Sequence, residues 1–173
     1  VSFVRGWPLE EETYRRANVD HASQAIVLSP SYDDPRSDSM VASIAFVISG
    51  ANPEVKVVAE CLDAKHTVLF NNSDRVALVF PLLMASNLLV QEAQDAGVTR
   101  LTQAITSNQI EGTLASTGVD AAPAAALSYT DVAKRLLDNG INLVGFIRDG
   151  AVVVSFDDRQ LAKDDSLVYV AGT

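Results

Sequence analysis

The chain has 173 residues, of which 48% are hydrophobic and 20% are charged, so it can bury a core of ordinary size. Its formal net charge of −9 argues against binding to a nucleic-acid backbone, which requires clustered lysine and arginine. The single cysteine, Cys61, excludes an internal disulfide, and its apolar setting favours a buried structural thiol over a catalytic one. No apolar run approaches the roughly 20 residues needed to span a bilayer, so we expect a soluble chain.

Short apolar segments alternate with helical segments in the first part of the chain. Val1–Val4 is predicted as a strand, and a polar helix follows from Leu9 to Ala17. Ala25–Leu28 is the next predicted strand, because its apolar run is short and continuous. A loop rich in serine, proline and aspartate then leads to a helix over Ser39–Ser49, which Gly50 is predicted to end.

The same alternation continues over the next forty residues. Val55–Ala59 and Arg75–Val79 are predicted strands, and a weak helical stretch, Ala64–Phe70, lies between them. A helix follows from Leu82 to about Ala96, with Pro81 suited to its first turn. The order is therefore strand, helix, strand, helix, strand, helix, strand, helix.

This order predicts an α/β fold with a partial doubly wound, Rossmann-like parallel sheet over 1–81. Strands buried on both faces of a parallel sheet are continuously apolar, as these segments are. Val1–Val4 would be the third strand of such a sheet, and we expect its first two strands to be absent from this chain.

Three further segments follow this lobe. Residues 82–112 contain a second apolar helix, Val98–Thr106, close behind the first, which predicts a helix-turn-helix arm. Residues 113–127 are rich in alanine, glycine, serine and threonine and are predicted to be a flexible linker. Residues 128–173 predict a small α+β subdomain of one helix and three strands, with a hairpin turn at Asp149-Gly150.

The order of these segments resembles one family. The stretch VRGWPLEEETYRRANVDHASQAIVLS resembles the middle of an RCK domain, the regulator of potassium conductance or TrkA-N type. SDSMVASIAFVISGANPEVKVVAECLD resembles the next unit of that family, and RVALVFPLLMASNLLVQEA resembles its passage from a strand into a long helix. The C-terminal stretch containing GFIRDG, Leu161 and Asp165 resembles the family's TrkA-C subdomain.

The resemblance implies a regulatory role rather than catalysis. RCK domains form the cytosolic gating ring of potassium channels, or the regulatory ring of potassium transporters, and a ligand such as calcium or a nucleotide changes the shape of the ring. The chain is then expected to form dimers and rings on the cytoplasmic side of the membrane. Its partner would be the transmembrane pore of the same parent protein, modulated by ligand, ion or pH.

Two other functions remain open at this point. A stand-alone regulatory subunit of a potassium transporter, with the same fold, is the alternative. An α/β enzyme fragment would require a nucleophile elbow or an intact glycine-rich loop, and neither is present in the sequence. The sequence also lacks the G-x-G-x-x-G turn that holds a dinucleotide, so we expect no catalytic residues and no NAD binding by this chain.

Acidic residues follow two neighbouring predicted strands. Carboxylates that converge at the carboxyl edge of a parallel sheet can bind Ca²⁺, which prefers several oxygen ligands. In calcium-gated members of the family a second carboxylate follows the position of Glu60 at a spacing of two, and here Leu62 occupies it. The alternative is a solvated, helix-capping loop. The candidate metal ligands are Asp33, Asp34, Asp38, Glu60 and Asp63.

The helical arm has more apolar residues than one sheet face requires. It is predicted either to belong to the core or to form a dimer interface in which two arms interlock. His21 and His66 are the only histidines, and either is a candidate proton sensor. The candidate interface residues are Leu83, Leu89, Val98, Leu101 and Ile105.

Overall fold

The structure is a computed structural model that describes residues 2–71, 75–107, 112–119, 128–154 and 159–172. The chain divides into two compact units, Val1–Val90 and Gln91–Thr173. None of the helices in the described ranges is long and apolar enough to cross a membrane.

The first unit is built on a parallel sheet of three strands in the order β1-β2-β3. The register aligns Ile26 with Val58 and Val58 with Ala77. Two short 3-10 helices, Val19–His21 and Ala64–Phe70, lie in the connections. The main elements are α1 (Glu11–Arg16), β1 (Gln24–Val27), α2 (Ser37–Ala51), β2 (Lys56–Glu60), β3 (Val76–Val79) and α3 (Pro81–Gln94), whose last turn belongs to the second unit.

Helix α2 covers one face of this sheet. Side chains alternate between the faces of a strand, so Val27 and Val57 point into the core while Ile26 points away from it. Val41 and Ala45 from α2 are buried in the same core. The opposite face of the sheet, which carries Ile26, is exposed within the described chain.

The predicted strand at Val1–Val4 is wrong for the residues that the structure describes. Ser2, Phe3 and Val4 form no strand, and Phe3 is almost fully exposed. An apolar segment becomes a strand only where a neighbouring strand pairs with its backbone N–H and C=O groups. The prediction that Gly50 ends the second helix is also wrong, because α2 continues to Ala51.

The second unit contains an antiparallel sheet in the order β4-β7-β5-β6. Among the described residues, six side chains are buried in its core, with Phe146 the most enclosed of them. Ser128 caps the helix of the sheet, because its Oγ accepts a hydrogen bond from the Asp131 N–H. The elements are α4 (Val98–Thr106), β4 (Gly112–Gly118), α5 (Tyr129–Leu137), β5 (Ile141–Arg148), β6 (Ala151–Val153) and β7 (Ser166–Gly172).

Strand β4 occupies part of the segment predicted as a flexible linker. It pairs with β7 from Gly112 opposite Gly172 to Gly118 opposite Ser166. The glycine and alanine residues of this segment have little strand propensity, but backbone pairing with β7 needs no particular side chain. The rest of the predicted linker, 120–127, lies outside the described residues.

The hairpin turn predicted at Asp149-Gly150 is confirmed. Asp149 has φ 50° and Gly150 has φ 76°, the left-handed values that a two-residue hairpin of type I′ requires. Next to this turn, Arg148 forms a bidentate ion pair with the buried Asp165, with Nε–Oδ1 2.8 Å and Nη2–Oδ2 2.7 Å. The ion pair joins β5 to the residues that lead into β7.

Candidate functional site

The carboxyl edge of the parallel sheet gathers several of the predicted acidic residues. Strands β1 and β2 end side by side, so the loop after β1 lies next to Glu60 at the end of β2. The Glu60 carboxylate accepts hydrogen bonds from the Ser29 N–H at 2.7 Å and from the Tyr32 hydroxyl at 3.0 Å. The bond to Glu60, with smaller effects from burial and charge, raises the pKa of Tyr32. Glu60 therefore holds the loop after β1.

Asp38 lies in the first turn of α2 and is only 3% exposed. Its carboxylate accepts hydrogen bonds from the Leu62 N–H at 2.7 Å and the Asp63 N–H at 3.0 Å, and it lies 2.7 Å from His66 Nδ1. Burial raises the pKa of Asp38, but the bonds from Leu62, His66 and Asp63 together outweigh it, so the pKa is lower than that of a free aspartate. Asp38 thus fastens the loop after β2 to α2 instead of capping the helix.

The carboxylates of Asp34 and Asp63 also bind groups of their own loops, whereas Asp33 takes part only through its backbone. Asp34 pairs with Arg36, and the bonds from that residue lower the pKa of Asp34. The Asp63 carboxylate accepts a bond from the Lys65 N–H and so caps the 3-10 helix. The Asp33 N–H donates to Ser31 Oγ.

These contacts bear on the predicted metal site. Within the described ranges, no three histidine, cysteine, aspartate or glutamate side chains are grouped so that they could hold a metal ion. The carboxylates of Asp38 and Glu60 face hydrogen-bond donors of the chain. The structure gives no support to the calcium prediction.

Cys61 lies directly after β2 and is fully buried. Its Sγ lies 3.2 Å from the Asp63 carbonyl oxygen, to which the thiol donates. Burial, with the nearby charge of Asp38 as the next cause, raises the pKa of Cys61 to about 11. The thiol therefore lacks the thiolate character that a nucleophile or a metal ligand requires, in agreement with the structural role predicted for it.

Ser29 and Tyr32, which bind the Glu60 carboxylate, are not among the residues predicted from the sequence. Tyr32 lies in a loop of serine, proline and aspartate, where nothing in the local pattern marks it as a partner of a strand 28 residues away. The acidic residues of the loops were recognisable, but their partners depend on which strands are neighbours.

The helical arm presents apolar side chains at its surface. Helix α3 has no buried residue in the described chain, and its Leu83 and Leu89 are exposed. In α4, Leu101 is 63% exposed, whereas Val98 and Ile105 are partly buried. Leu82, Met84 and Val90 on α3 are exposed as well, although the prediction omitted them.

The turn between α3 and α4 is held by one carboxylate. Glu92 accepts bonds from the Gly97 N–H at 3.0 Å and the Thr99 N–H at 2.8 Å, at the start of α4. These bonds lower the pKa of Glu92, and Gly97 supplies the φ of 107° that the turn requires. The geometry of this turn is thus fixed by hydrogen bonds among its own residues.

Comparison with known proteins gives a likeness in fold. Neither a protein-family model nor a curated protein sequence matches the chain. The human SLO3 gating ring matches at 14% identity over 99% of this chain and 36% of that one, with a TM-score of 0.72. The GsuK RCK domain (18% identity, 99% and 35% covered, TM-score 0.46) and the GsuK channel bound to NAD (17%, 99% and 29%, 0.46) also match.

The chain therefore spans about a third of the length of the SLO3 structure that it matches. The parallel three-stranded sheet and the separate antiparallel sheet agree with that likeness, as the resemblance in sequence predicts. The fold of the chain is thus similar to that of the human SLO3 gating ring.

Proposed function

We propose that this chain is a regulatory domain of a potassium channel, part of a cytoplasmic gating ring that modulates the pore of its parent protein. The observation that supports it most is the likeness of 99% of the chain to the human SLO3 gating ring. The sequence resemblance to RCK domains rests on different information and leads to the same proposal. The role is binding and switching, without catalysis.

Self-association through α3 and α4 is part of this proposal. Apolar residues scattered singly on a surface are normal in soluble proteins. Here Leu83, Leu89 and Leu101 are all exposed on the same pair of helices, and neither α3 nor α4 contains a buried residue. Burying such side chains between two arms would release about 1.5–3 kcal/mol for each fully buried leucine. A ring of several copies requires such an interface.

Sedimentation velocity on Leu101→Ser tests the interface. Leu137→Ser is the matched control, because Leu101 and Leu137 are both helical leucines that are 63% exposed in the second unit. We expect Leu101→Ser to weaken self-association, and Leu137→Ser to leave it unchanged. Equal behaviour of the two variants would contradict the α3–α4 interface.

The channel role has its own test. The parent protein, reconstituted in liposomes, should show potassium flux that changes when this domain is deleted. Unchanged flux after deletion would contradict a gating role. The prediction that NAD does not bind is tested separately by adding NAD to this chain, where a rise in the melting temperature would contradict it.

A further inference from the structure

The turn between α5 and β5 contains Asn139-Gly140, the single Asn-Gly pair of the sequence. Both residues are exposed, and they lie between the end of α5 at Leu137 and the start of β5 at Ile141. Asparagine is among the chemically labile residues of proteins, because the backbone nitrogen of the next residue can attack its side-chain amide. The turn therefore presents a reactive pair of groups at the surface of the second unit.

Gly140 removes the usual obstacle to this attack. A side chain on the residue after an asparagine obstructs the approach of its backbone nitrogen to the asparagine Cγ, and glycine has no side chain. Gly140 has φ 75° and is free to move to other backbone conformations. An added Cβ there would meet no atom within 4 Å, so the space beside the turn is open. Water, the other reactant, has access to both exposed residues.

The other asparagines in the described ranges are each followed by a residue with a side chain. Pro53, which follows the buried Asn52, has no backbone N–H to lose. Asn87 and Asn142 lie inside α3 and β5, where the hydrogen bonds of the element hold the backbone. These other asparagines are Asn18, Asn52, Asn71, Asn87 and Asn142.

Two hydrogen bonds restrain Asn139 and Gly140 in the folded chain. Asn139 Nδ2 donates to the Arg135 carbonyl oxygen at 2.8 Å, and the Gly140 N–H donates to the Leu137 carbonyl oxygen at 2.9 Å. Both must break before the Gly140 nitrogen reaches Asn139 Cγ. They belong to the end of a helix of nine residues, and helix ends fray. A reaction slower than this fraying follows the equilibrium population of the open turn.

We propose that Asn139 is a site of spontaneous deamidation in the folded chain. The Gly140 nitrogen loses its proton to the solvent and forms a bond to Asn139 Cγ, while the side-chain amide nitrogen takes up a proton and leaves as ammonia. The product is a cyclic succinimide. Water then adds to one of the two ring carbonyls and opens the ring, which leaves an aspartate or an isoaspartate at position 139. The reaction consumes one water and requires no oxidant, reductant or cofactor.

The modification changes the junction between α5 and β5. A carboxylate at position 139 cannot donate to the Arg135 carbonyl oxygen, and it lies beside Asp138 at the negative end of the helix dipole. An isoaspartate also adds one carbon to the backbone directly before Ile141, which pairs with Ala171 of β7. We expect both products to weaken the second unit. The reaction uses only this turn and water, so it does not depend on the gating-ring proposal.

Peptide mass mapping of the full chain after incubation in a mildly alkaline buffer tests the proposal. Trypsin releases residues 136–148, LLDNGINLVGFIR, a peptide that contains both Asn139 and Asn142. Fragmentation assigns the mass increase of an amide converted to a carboxyl group to one of these two residues, so Asn142 is an internal control. The same incubation in urea gives the rate for the unfolded chain.

We expect the mass increase at Asn139 before it appears at any other described asparagine, and faster in urea than in the folded chain. Asn139→Gln should abolish it at this position, because glutamine would have to form a larger and less favoured ring. A folded chain whose Asn139 stays intact while the unfolded chain reacts would overturn the proposal. Modification of Asn142 at the same rate as Asn139 would overturn it as well.

The effect on the second unit is measured separately by thermal unfolding. Asn139→Asp carries the charge of the product, and Asn139→Gln is its uncharged control. We expect Asn139→Asp to have the lower melting temperature. Equal melting temperatures of the two variants would contradict the weakening of the junction by the new charge.

Discussion

Asp38 and His66 are 28 residues apart in sequence, and His66 Nδ1 lies 2.7 Å from Asp38 Oδ2. The same carboxylate accepts bonds from two backbone N–H groups, so one buried side chain joins the start of α2 to the loop after β2. This loop leads into the 3-10 helix Ala64–Phe70. Asp38 therefore holds α2 and the loop after β2 together, although the sequence suggests a capping or metal-binding residue.

Asp38→Asn should destabilise the fold. The amide cannot accept charge-assisted bonds from both N–H groups, and a buried donor left unpaired costs about 1–3 kcal/mol. We expect the free energy of unfolding in urea to fall by about that amount. Asp34→Asn is the control, because its ion pair with Arg36 is at the surface and should contribute little. Equal stability of the two variants would show that Asp38 holds no essential contact.

The stability of the chain should decrease in acid. The pKa values of Asp38 and Asp165 both lie below the ordinary 3.8. Burial raises the pKa of Asp38, but the hydrogen bonds that its carboxylate accepts outweigh this effect. In Asp165 the hydrogen bond from Arg148 is the main cause of the lower pKa. A carboxyl with a lower pKa in the folded state adds stability above its unfolded pKa and loses it as the pH falls through its folded pKa. We expect the free energy of unfolding to fall as the pH drops below about 4.

The measurement is urea unfolding at a series of pH values on the wild type and on Asp38→Asn with Asp165→Asn. The double variant should show a smaller loss of stability on acidification. The same pH profile in both proteins would rule out these two carboxylates as its source.

The thiol of Cys61 should be unreactive in the folded protein. It is fully buried, and its pKa of about 11 leaves almost no thiolate at neutral pH. A thiol reagent such as DTNB should therefore react only after urea is added, with one equivalent per chain. Rapid reaction of the native chain would mean that the loop after β2 opens readily.

Gly145→Ala should destabilise the second unit. A Cβ at this position would lie 2.5 Å from the Val153 carbonyl oxygen, where β5 is irregular next to Leu143. Relief of such overpacking requires a backbone shift, which costs about 1–3 kcal/mol. Gly118→Ala in β4 is the control, since an added Cβ there meets no atom within 4 Å. Thermal unfolding of both variants decides the matter, and a stable Gly145→Ala would indicate that β6 can move.

Much of the fold was predictable because it depends on local chemistry. The three strands of the parallel sheet have continuous apolar runs, and the boundaries of α4 agree with the prediction. Asp149-Gly150 specifies its turn by tolerating positive φ, and Ser128 specifies the start of α5 through its own hydroxyl. Each of these features is decided within a few neighbouring residues.

The candidate site was predictable only in part. Its acidic residues could be located, because loops after parallel strands meet at one edge of the sheet. Their partners could not be predicted. Glu60 binds Tyr32, and Asp38 binds the loop after β2, only because the order of the strands and the position of α2 bring these groups together. The same five acidic side chains in another fold could have faced each other and bound a cation.

The sequence by itself determined the succession of strand-helix units, the apolar arm of α3 and α4, and the hairpin of the second unit. Only the tertiary structure decided that residues 2–4 form no strand, that β4 pairs with β7, and that Asp38 binds the loop after β2. The reason is physical. Helix caps and turns satisfy hydrogen bonds within a few residues, whereas a strand and a buried carboxylate each require groups from distant parts of the chain.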